Sequence, residues 1–402
     1  MRVAVVGAGI SGLGAAHLLS RMHDVEVFES DVRAGGHTRT VRRGRLALDT
    51  GFLVHNERNY PLLTRLFREL GVATQASEMS FSVACPCGLE YSGRRPFAQP
   101  RRVADRSFHE LLWEIGRWLR TARHSLDELD CERMSLEHYL DARRYSGAFR
   151  RHFLVPLTAA LWSTAPGRAL EYPAAAAIRF FDNHGMLGFR RFRWRTVTGG
   201  AETYVSELAR RLGPRLRVGL GVRSVRRDPD GVEIRTADDT RRRFDAVVVA
   251  THADQALRLL EDPSPDERRL LGAFEYTRNE VTLHTDGSYL PTTAAARASW
   301  NYRLGDDGRP TITYYLNRLQ RLETRRDWCV TLNGDVTEEH VVDQTVFEHP
   351  LFTVDTLAAQ RELPRLGGAR RTWYAGAYHG YGFHEDGLAS GVRAAAGLGA
   401  IW

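Results

Sequence analysis

The chain has 402 residues, of which 43% are hydrophobic, and this length suits one or two closely packed domains. Its formal net charge is +7, and every basic residue is an arginine because the sequence contains no lysine. The absence of lysine excludes Schiff-base chemistry and a phosphate-loop lysine. An arginine-rich surface attracts anionic partners such as phospholipid or acyl-carrier surfaces, although a GC-rich genome produces the same bias. We expect no nucleic-acid partner.

Four cysteines in a chain of this length do not form a disulfide framework, so a reducing cytoplasm is the expected location. Two of them form the pair Cys85-Pro86-Cys87, but no second pair follows at metal-binding spacing, and we expect no metal. The apolar N-terminus resembles a secretory signal, yet glycines at fixed spacing interrupt it. No uninterrupted apolar stretch of about 18 residues occurs, which leaves only peripheral attachment to the inner face of a membrane.

The first thirty residues predict a βαβ unit, with strands at 3–6 and 25–29 and a helix at 11–21. Between them lies Gly7-x-Gly9-x-x-Gly12, placed after a strand and at the start of a helix. In such a turn the first glycine permits the tight bend, the second lets the backbone approach a pyrophosphate, and the third allows close helix packing. Ser11 lies in the same turn, and Glu29 ends the second strand, where a carboxylate binds ribose hydroxyls.

The rest of the chain alternates between two kinds of segment. Helical patterns dominate from 80 to 195, a helix at 201–212 precedes further strands, and strand-like runs fill 263 to 364. We predict an α/β protein, α+β overall, with a Rossmann-like nucleotide-binding domain and a mixed substrate domain inserted twice. The predicted boundaries are 1–78, 196–262 and 365–402 for the first domain, and 79–195 and 263–364 for the second.

Two segments after Glu29 favour FAD over NAD. Arg33-Ala-Gly-Gly-His-Thr38 follows directly, and Asp49-Thr-Gly51 comes next. In this context the sequence resembles the superfamily of flavin-containing amine oxidases, phytoene desaturases and protoporphyrinogen oxidases. The resemblance implies that an Arg-x-Gly-Gly segment lies along the pyrophosphate and ribityl chain of FAD, with the next segment near the isoalloxazine ring. The implied contacts are Arg33, Gly35, Gly36, His37, Thr38, Gly51 and Phe52.

Two later segments carry the same resemblance. Val222 matches the valine whose backbone meets the adenine in these enzymes. At the C-terminus, Gly376 and the run Asp386-Gly387-Leu388-Ala-Ser-Gly391 match the closing flavin motif, where a helix N-terminus faces the flavin pyrimidine. The motif lacks the cysteine that binds flavin covalently in monoamine oxidases, so we expect non-covalent FAD.

More narrowly, the chain resembles bacterial predicted NAD/FAD-binding proteins associated with cyclopropane-fatty-acyl synthases. The resemblance rests on the segments at 49–57, 299–302, 316–320 and 380–387. It implies a lipid substrate.

The chain also departs from the amine oxidases. These enzymes usually have a lysine that holds a water against flavin N5, and this chain has none. They also frame the substrate amine with two aromatic rings, a role that Tyr381 and Phe383 could fill, although packing explains them equally well.

The densest ionisable cluster lies beside the expected flavin face. Within it, His379 and His384 are candidate acids or bases during hydride transfer, or else structural histidines of a glycine-rich loop. The spacing with Glu385 and Asp386 is too irregular to predict a metal. His55 and His284 are weaker candidates of the same kind.

Three hypotheses follow. The first is an FAD-dependent oxidoreductase that dehydrogenates a hydrophobic substrate, a fatty-acyl or methylated-acyl lipid, by hydride transfer to flavin N5. The second is an amine or amino-acid oxidase, and the third is a non-catalytic FAD-binding subunit. With one dinucleotide fingerprint, electrons are expected to leave to oxygen, a quinone or a carrier protein.

Overall fold

The computed structural model describes residues 1–127, 134–162, 166–188, 192–305 and 310–402. In chain order, the strands are β1 (Arg2–Val6), β2 (Asp24–Phe28), β3 (Thr40–Arg43), β4 (Leu46–Asp49), β5 (Thr74–Ala76), β6 (Phe81–Ala84), β7 (Glu90–Ser92), β8 (Arg195–Val197), β9 (Leu216–Arg217), β10 (Val222–Asp228), β11 (Gly231–Thr236), β12 (Arg241–Phe244), β13 (Ala246–Val249), β14 (Glu275–His284), β15 (Trp300–Leu304), β16 (Pro310–Tyr315), β17 (Cys329–Leu332), β18 (Val341–Leu351) and β19 (Thr372–Tyr374).

The helices are α1 (Ile10–Leu19), α2 (Pro61–Leu70), α3 (Arg106–Thr121), α4 (Leu136–Ala142), α5 (Gly147–Phe149), α6 (Val155–Trp162), α7 (Ala174–Asn183), α8 (Glu202–Leu212), α9 (Ala253–Leu259), α10 (Pro265–Leu271), α11 (Leu316–Leu319), α12 (Val354–Glu362) and α13 (His384–Gly397). A π-helical turn, Arg150–Leu154, joins α5 to α6. Among the described residues, none of these helices is both long and apolar enough to cross a membrane.

A parallel sheet forms the nucleotide-binding part of the molecule. Its strand order is β19-β13-β1-β2-β9, and all of its neighbouring strands are parallel. The valines of β1 and β13 are buried on both faces, as expected for parallel strands covered by helices on either side. This sheet confirms the predicted α/β fold with a Rossmann-like core.

Helices α1 and α13 lie against each other because glycines let their backbones approach. A Cβ atom added to Gly391 would lie 2.2 Å from the carbonyl oxygen of Ser11, and one added to Gly14 would lie 2.4 Å from Leu388. Gly391 leaves no room for a side chain because it faces backbone, and a side chain at Gly14 would have to displace that of Leu388. The close contact brings the N-termini of the two helices to the same region, at the carboxyl end of the parallel sheet.

A second, seven-stranded sheet has the order β18-β14-β17-β16-β15-β6-β7. Its strands are antiparallel except for the parallel pair β15 and β6. Strands β6 and β7 come from the predicted segment 79–195 and the others from 263–364, whereas the parallel sheet draws on the other three segments. The division into two domains stays a prediction.

Helices α3 to α7 surround an aromatic core next to the seven-stranded sheet. Trp118 lies at its centre and contacts Tyr139, Tyr145, Phe149 and Phe181. Edge-to-face contacts of this kind add stability beyond the burial of their surface.

Candidate active site

One cavity of about 710 Å³ lies between the two sheets. One wall comes from the parallel sheet and its turns and includes Gly7, Gly9 and Glu29. The opposite wall comes from the helical region and the seven-stranded sheet. Its large side chains are Met79, Leu161, Trp162, Phe180, Met186, Trp194, Trp300, Tyr314, Leu332, Phe347 and Phe352.

The turn before α1 leaves room for an anionic group. Gly7 has φ +100°, and a Cβ atom there would lie 2.6 Å from the Ala250 carbonyl oxygen, so this position requires glycine. Gly9 precedes the first turn of α1 and provides no side-chain cap. A Cβ atom at Gly9 would meet nothing within 4 Å, and Gly9 and Ser11 both line the cavity. The uncapped helix N-terminus is a suitable site for a pyrophosphate.

Glu29 and Val222 line the same end of the cavity. The Glu29 carboxylate accepts hydrogen bonds from the backbone amides of Ala8 (2.7 Å) and Asp31 (2.9 Å). These bonds fix the carboxylate beside the glycine turn. This is the position that a ribose hydroxyl of a dinucleotide would need.

The loop from Arg33 to Thr38 closes over the glycine turn. The Arg33 guanidinium donates to the carbonyl oxygens of Thr38 and Gly36, both at 2.9 Å, so it holds the loop and does not line the cavity. Gly35, Gly36 and His37 do line the cavity. The structure therefore assigns the side chain of Arg33 to loop geometry.

Thr38 is buried behind this loop and takes part in a network that sequence reasoning missed. Its Oγ1 lies 2.5 Å from the Tyr204 hydroxyl and 3.1 Å from Nε2 of His384. The Tyr204 hydroxyl also lies 2.7 Å from the same nitrogen. No local pattern around Tyr204, a residue of α8, indicates this contact.

His384 begins α13 and lines the cavity. Its ring stacks on Phe52 with 4.2 Å between centroids. Burial lowers the pKa of His384 to about 3. The imidazole is therefore neutral at physiological pH and a weak base, and it is not an imidazolium that donates a proton.

The other candidate catalytic residues divide into two groups. Phe383 lines the cavity and stacks on Phe180 with 4.8 Å between ring centroids. Tyr381 contacts the edge of Phe180 but does not line the cavity, and neither does His379. Burial lowers the pKa of His379 to about 3, and its Nε2 has no hydrogen-bond partner among the described residues.

The acidic residues after His384 serve the helices. The Glu385 carboxylate accepts hydrogen bonds from the amides of Leu62 (2.8 Å) and Leu63 (3.0 Å), which lie in the first turn of α2. Asp386 accepts one from the amide of Phe383 (2.9 Å) at the start of α13 itself. Both carboxylates cap helices.

The remaining glycines of the closing motif also differ in their surroundings. Gly376 lines the cavity, and its amide donates to Ser390 Oγ at 2.8 Å. Gly387 and Leu388 lie against α1 and do not line the cavity. What faces the cavity is the start of α13, whose first backbone amides suit negative charge on a flavin pyrimidine.

A stack of three histidines borders the cavity beside Phe347. The ring of His37 lies 5.3 Å from that of His349 and 6.0 Å from that of His252. Burial lowers the pKa of His349 to about 4 and also lowers that of His37. Sequence reasoning singled out His37 alone, because the other two lie more than 200 residues away along the chain.

His184 is a titratable group in the aromatic wall. Its Nδ1 lies 3.0 Å from the Phe180 carbonyl oxygen, which can only accept, so Nδ1 carries the proton. Its ring stacks on Phe180 at 3.8 Å, and burial lowers its pKa to about 4. The second nitrogen, Nε2, is then a neutral acceptor.

A parallel sheet with an uncapped helix N-terminus and a carboxylate beside the same cavity defines a dinucleotide-binding protein. The chain belongs to the family of flavin containing amine oxidoreductases, whose family model matches residues 10–315. It is therefore a flavoprotein of the oxidoreductase class, and FAD is its cofactor.

Two curated relatives match parts of the chain. The plant protein protoporphyrinogen oxidase 2 of Arabidopsis thaliana is 47% identical over 72 residues, which are 18% of this chain and 14% of that protein. The putative flavin-containing monoamine oxidase AofH of Mycobacterium tuberculosis is 26% identical over 280 residues, or 65% of this chain and 59% of that protein. The matched region thus spans less than two thirds of either relative.

Solved structures share the whole fold. Putrescine oxidase bound to putrescine has a TM-score of 0.73 at 16% identity, covering 100% of this chain and 99% of that one. Cyclohexylamine oxidase from Brevibacterium oxydans has a TM-score of 0.73 at 16% identity, covering 99% and 98%. A fatty acid isomerase from P. acnes that produces CLA has a TM-score of 0.71 at 17% identity, covering 97% and 96%.

Proposed function

We propose that this flavoprotein dehydrogenates a hydrophobic substrate, a fatty-acyl or methylated-acyl lipid. The observation that carries the proposal is the aromatic and aliphatic wall that faces the dinucleotide side of the cavity. FAD, when bound without a covalent link, supplies the acceptor for a hydride from the substrate.

The charge of the cavity also favours an apolar substrate over an amine. Among the described lining residues, only Glu29 and Glu348 are acidic. Glu29 is already bonded to two backbone amides at the nucleotide end, and Glu348 Oε2 lies 3.4 Å from His252 Nδ1. An alkylammonium group would thus have few carboxylates to compensate its desolvation.

The four residues proposed to act on the substrate all line the cavity. Phe180 and Phe383, whose rings stack on each other, would form an apolar surface along which an acyl chain lies. The neutral imidazoles of His184 and His384 would relay to solvent the proton released when a carbon–hydrogen bond next to the hydride donor breaks, because conjugate acids with pKa values of about 4 and about 3 do not hold a proton near neutral pH. With a pKa of about 3 for His384, that group should produce no acid limb in the rate profile between pH 5 and 8.

The likeness to the fatty acid isomerase supports this substrate class, since a protein of the same fold acts on a fatty acid. A lipid substrate also makes contact with a membrane surface or an acyl carrier an expected step, and the arginine-rich composition suits both. The putrescine and cyclohexylamine oxidases share the fold equally well, so amines form the second set of candidate substrates.

The test is anaerobic mixing of the holoprotein with acyl lipids or with putrescine and cyclohexylamine, followed by flavin absorbance. We expect the lipids to bleach the flavin and the amines to leave it oxidised. Bleaching by amines alone would establish the amine oxidase instead, and no bleaching by any compound would favour a non-catalytic FAD-binding subunit. Readmitting oxygen or a quinone then identifies the electron acceptor.

A pair of tryptophan variants connects the activity to the cavity wall. Trp162 lines the cavity, whereas Trp113 is 61% exposed on α3. We expect Trp162→Ala to slow flavin reduction by lipids at least fivefold with an unchanged flavin content, and Trp113→Ala to leave the rate unchanged. Equal rates of flavin reduction in the two variants would show that the substrate does not contact the aromatic wall.

A further inference from the structure

Three side chains that bind soft metal ions meet at one edge of the seven-stranded sheet, outside the cavity. Cys85 and Cys87 follow β6, and His152 lies in the π-helical turn before α6. One ligand atom from each residue lies within 4.8 Å of the other two. We propose that these residues form a zinc site with two thiolates and one imidazole.

The backbone of the β6–β7 hairpin holds the two thiols together. The Cys85 amide donates to the Leu89 carbonyl oxygen (3.0 Å), and the Gly88 amide donates to the Cys85 carbonyl oxygen (2.9 Å). Gly88 has φ +79°, the left-handed conformation that this turn requires. The Cys87 amide lies 3.4 Å from Cys85 Sγ and donates to it. Burial raises the pKa of the Cys85 thiol, and this bond opposes that effect only in part, so metal binding has to displace the thiol proton.

His152 provides the ligand that the sequence pattern lacked. Its Nδ1 is buried and has no hydrogen-bond partner among the described residues. A buried ring nitrogen without a hydrogen-bond partner lowers the stability of the fold unless a ligand, such as a metal ion, binds to it. The Tyr91 hydroxyl donates to the His152 carbonyl oxygen at 2.7 Å and fixes this turn against β7.

The dimensions suit zinc after small adjustments. Zinc binds sulfur at about 2.3 Å and imidazole nitrogen at about 2.0 Å, so tetrahedral ligands lie roughly 3.3–3.8 Å apart. Ligand atoms within 4.8 Å of one another can reach these separations by side-chain rotation. A water molecule would complete the four ligands.

The charge balance favours zinc over calcium or magnesium. Binding releases two thiol protons, and the two thiolates cancel the charge of the ion without any redox change. A neutral centre is compatible with Arg151 next to His152 and with Arg101, whose guanidinium donates to the Gly88 carbonyl oxygen at 2.7 Å. Calcium and magnesium need oxygen ligands, which this group does not supply.

Such an ion would join the β6–β7 hairpin to the helical turn that leads into α6. Helix α6 ends in Leu161 and Trp162, which line the cavity. Three protein ligands and a water form an open zinc site, and since none of the three ligands lines the cavity, the ion would take no part in the flavin chemistry. The zinc site and the proposed lipid activity can therefore be tested separately.

The test is the zinc content of full-length holoprotein purified under reducing conditions, measured by plasma mass spectrometry. We expect about one zinc per chain in the wild type and less than a tenth of that in Cys85→Ser/Cys87→Ser and in His152→Ala. Cobalt added to the metal-free protein should give visible bands at wavelengths longer than the flavin absorbs. His138→Ala, an exposed histidine of α4, is the control and should keep full occupancy.

A second readout guards against misfolding of the variants. A chelator should lower the melting temperature of the wild type and of His138→Ala, and should have no effect on the double cysteine variant. Equal zinc content in wild type and double variant would overturn the proposal. A reduced wild type that takes up neither zinc nor cobalt would also overturn it.

Discussion

At the scale of single residues, two glycines of one motif have opposite reasons for being glycine. A Cβ atom at Gly12 would lie 1.9 Å from the Gly7 carbonyl oxygen, whereas one at Gly9 would meet no protein atom within 4 Å. Position 12 therefore has to be glycine because the fold leaves no room for a side chain. At position 9 the protein itself leaves room, so the need for glycine comes from the molecule that binds in the cavity beside it.

This contrast predicts different defects in matched variants. Gly9→Val should keep the thermal stability of the apoprotein within a few degrees, because its backbone at φ −74° suits any residue. Its flavin content should fall at least tenfold. Gly12→Val should unfold or aggregate, since the new side chain overlaps backbone. Flavin-to-protein absorbance ratios and melting curves measure both, and a stable, flavin-loaded Gly9→Val would contradict the assigned pyrophosphate position.

His55 supports a prediction about stability. Both of its ring nitrogens are buried without hydrogen-bond partners among the described residues, and its ring meets Phe67 edge-on at 5.2 Å. Burial lowers its pKa to about 4. His55→Phe removes an unpaired polar group and should stabilise the protein by about 1 kcal/mol at pH 7.

The same variant tests whether His55 has a catalytic role. His55 does not line the cavity, so its replacement should leave flavin content and flavin reduction unchanged. Urea unfolding gives the stability, and anaerobic flavin reduction gives the rate. A destabilised variant with a loss of activity would restore His55 as a candidate acid or base.

Sequence reasoning at this scale succeeded where the signal is local. The glycine turn and Glu29 lie within about thirty residues, and their spacing alone predicts a helix N-terminus beside a carboxylate. Tyr204, His184 and His349 are close to the site only because distant segments fold together. No pattern in a single sequence carries that information.

At the scale of elements, one carboxylate connects two helices. Glu385 lies in the first turn of α13 and caps the amides of Leu62 and Leu63 in α2. The structure begins α13 at His384, two residues before the Asp386 that opens the closing flavin motif. Asp386 lies inside the first turn and accepts a hydrogen bond from the Phe383 amide, a contact that the motif alone does not predict.

The interhelix cap predicts a stability loss without a catalytic defect. Glu385→Ala leaves two buried amides unpaired and should cost about 1–2 kcal/mol. Glu110→Ala, on the exposed surface of α3, should cost less than about 0.5 kcal/mol. Urea unfolding measures the difference. If Glu385→Ala were fully stable but failed to reduce its flavin, Glu385 would be a catalytic acid and not a cap.

At the scale of the whole molecule, histidines dominate the expected pH dependence of stability. Burial lowers the pKa of many of them below the ordinary value. The affected residues are His17, His37, His55, His152, His184, His252, His284, His349, His379 and His384. Between pH 4 and 6.5 the unfolded chain therefore binds more protons at these sites than the folded chain does.

A smaller group acts in the opposite direction. Burial raises the pKa of Asp49 and Glu385 to about 7 and that of Asp386 to about 6. These carboxyls stabilise the folded state below their unfolded pKa, and that stabilisation is lost as pH rises through 6 to 7. Because the histidines outnumber them, the net effect is that the protein loses stability on acidification below pH 6.5.

We expect the melting temperature to fall steadily as the pH is lowered from 7 to 5, with each buried histidine contributing up to about 1.4 kcal/mol per pH unit. Melting curves across this range measure the slope. His55→Phe should make the dependence of the melting temperature on pH less steep by the contribution of one proton. The reason is that between pH 5 and 7 His55 takes up a proton only in the unfolded chain. A melting temperature that is constant or rises on acidification would mean that the histidines accept protons within the folded protein, and the neutral states assigned to His184 and His384 at the cavity would then be wrong.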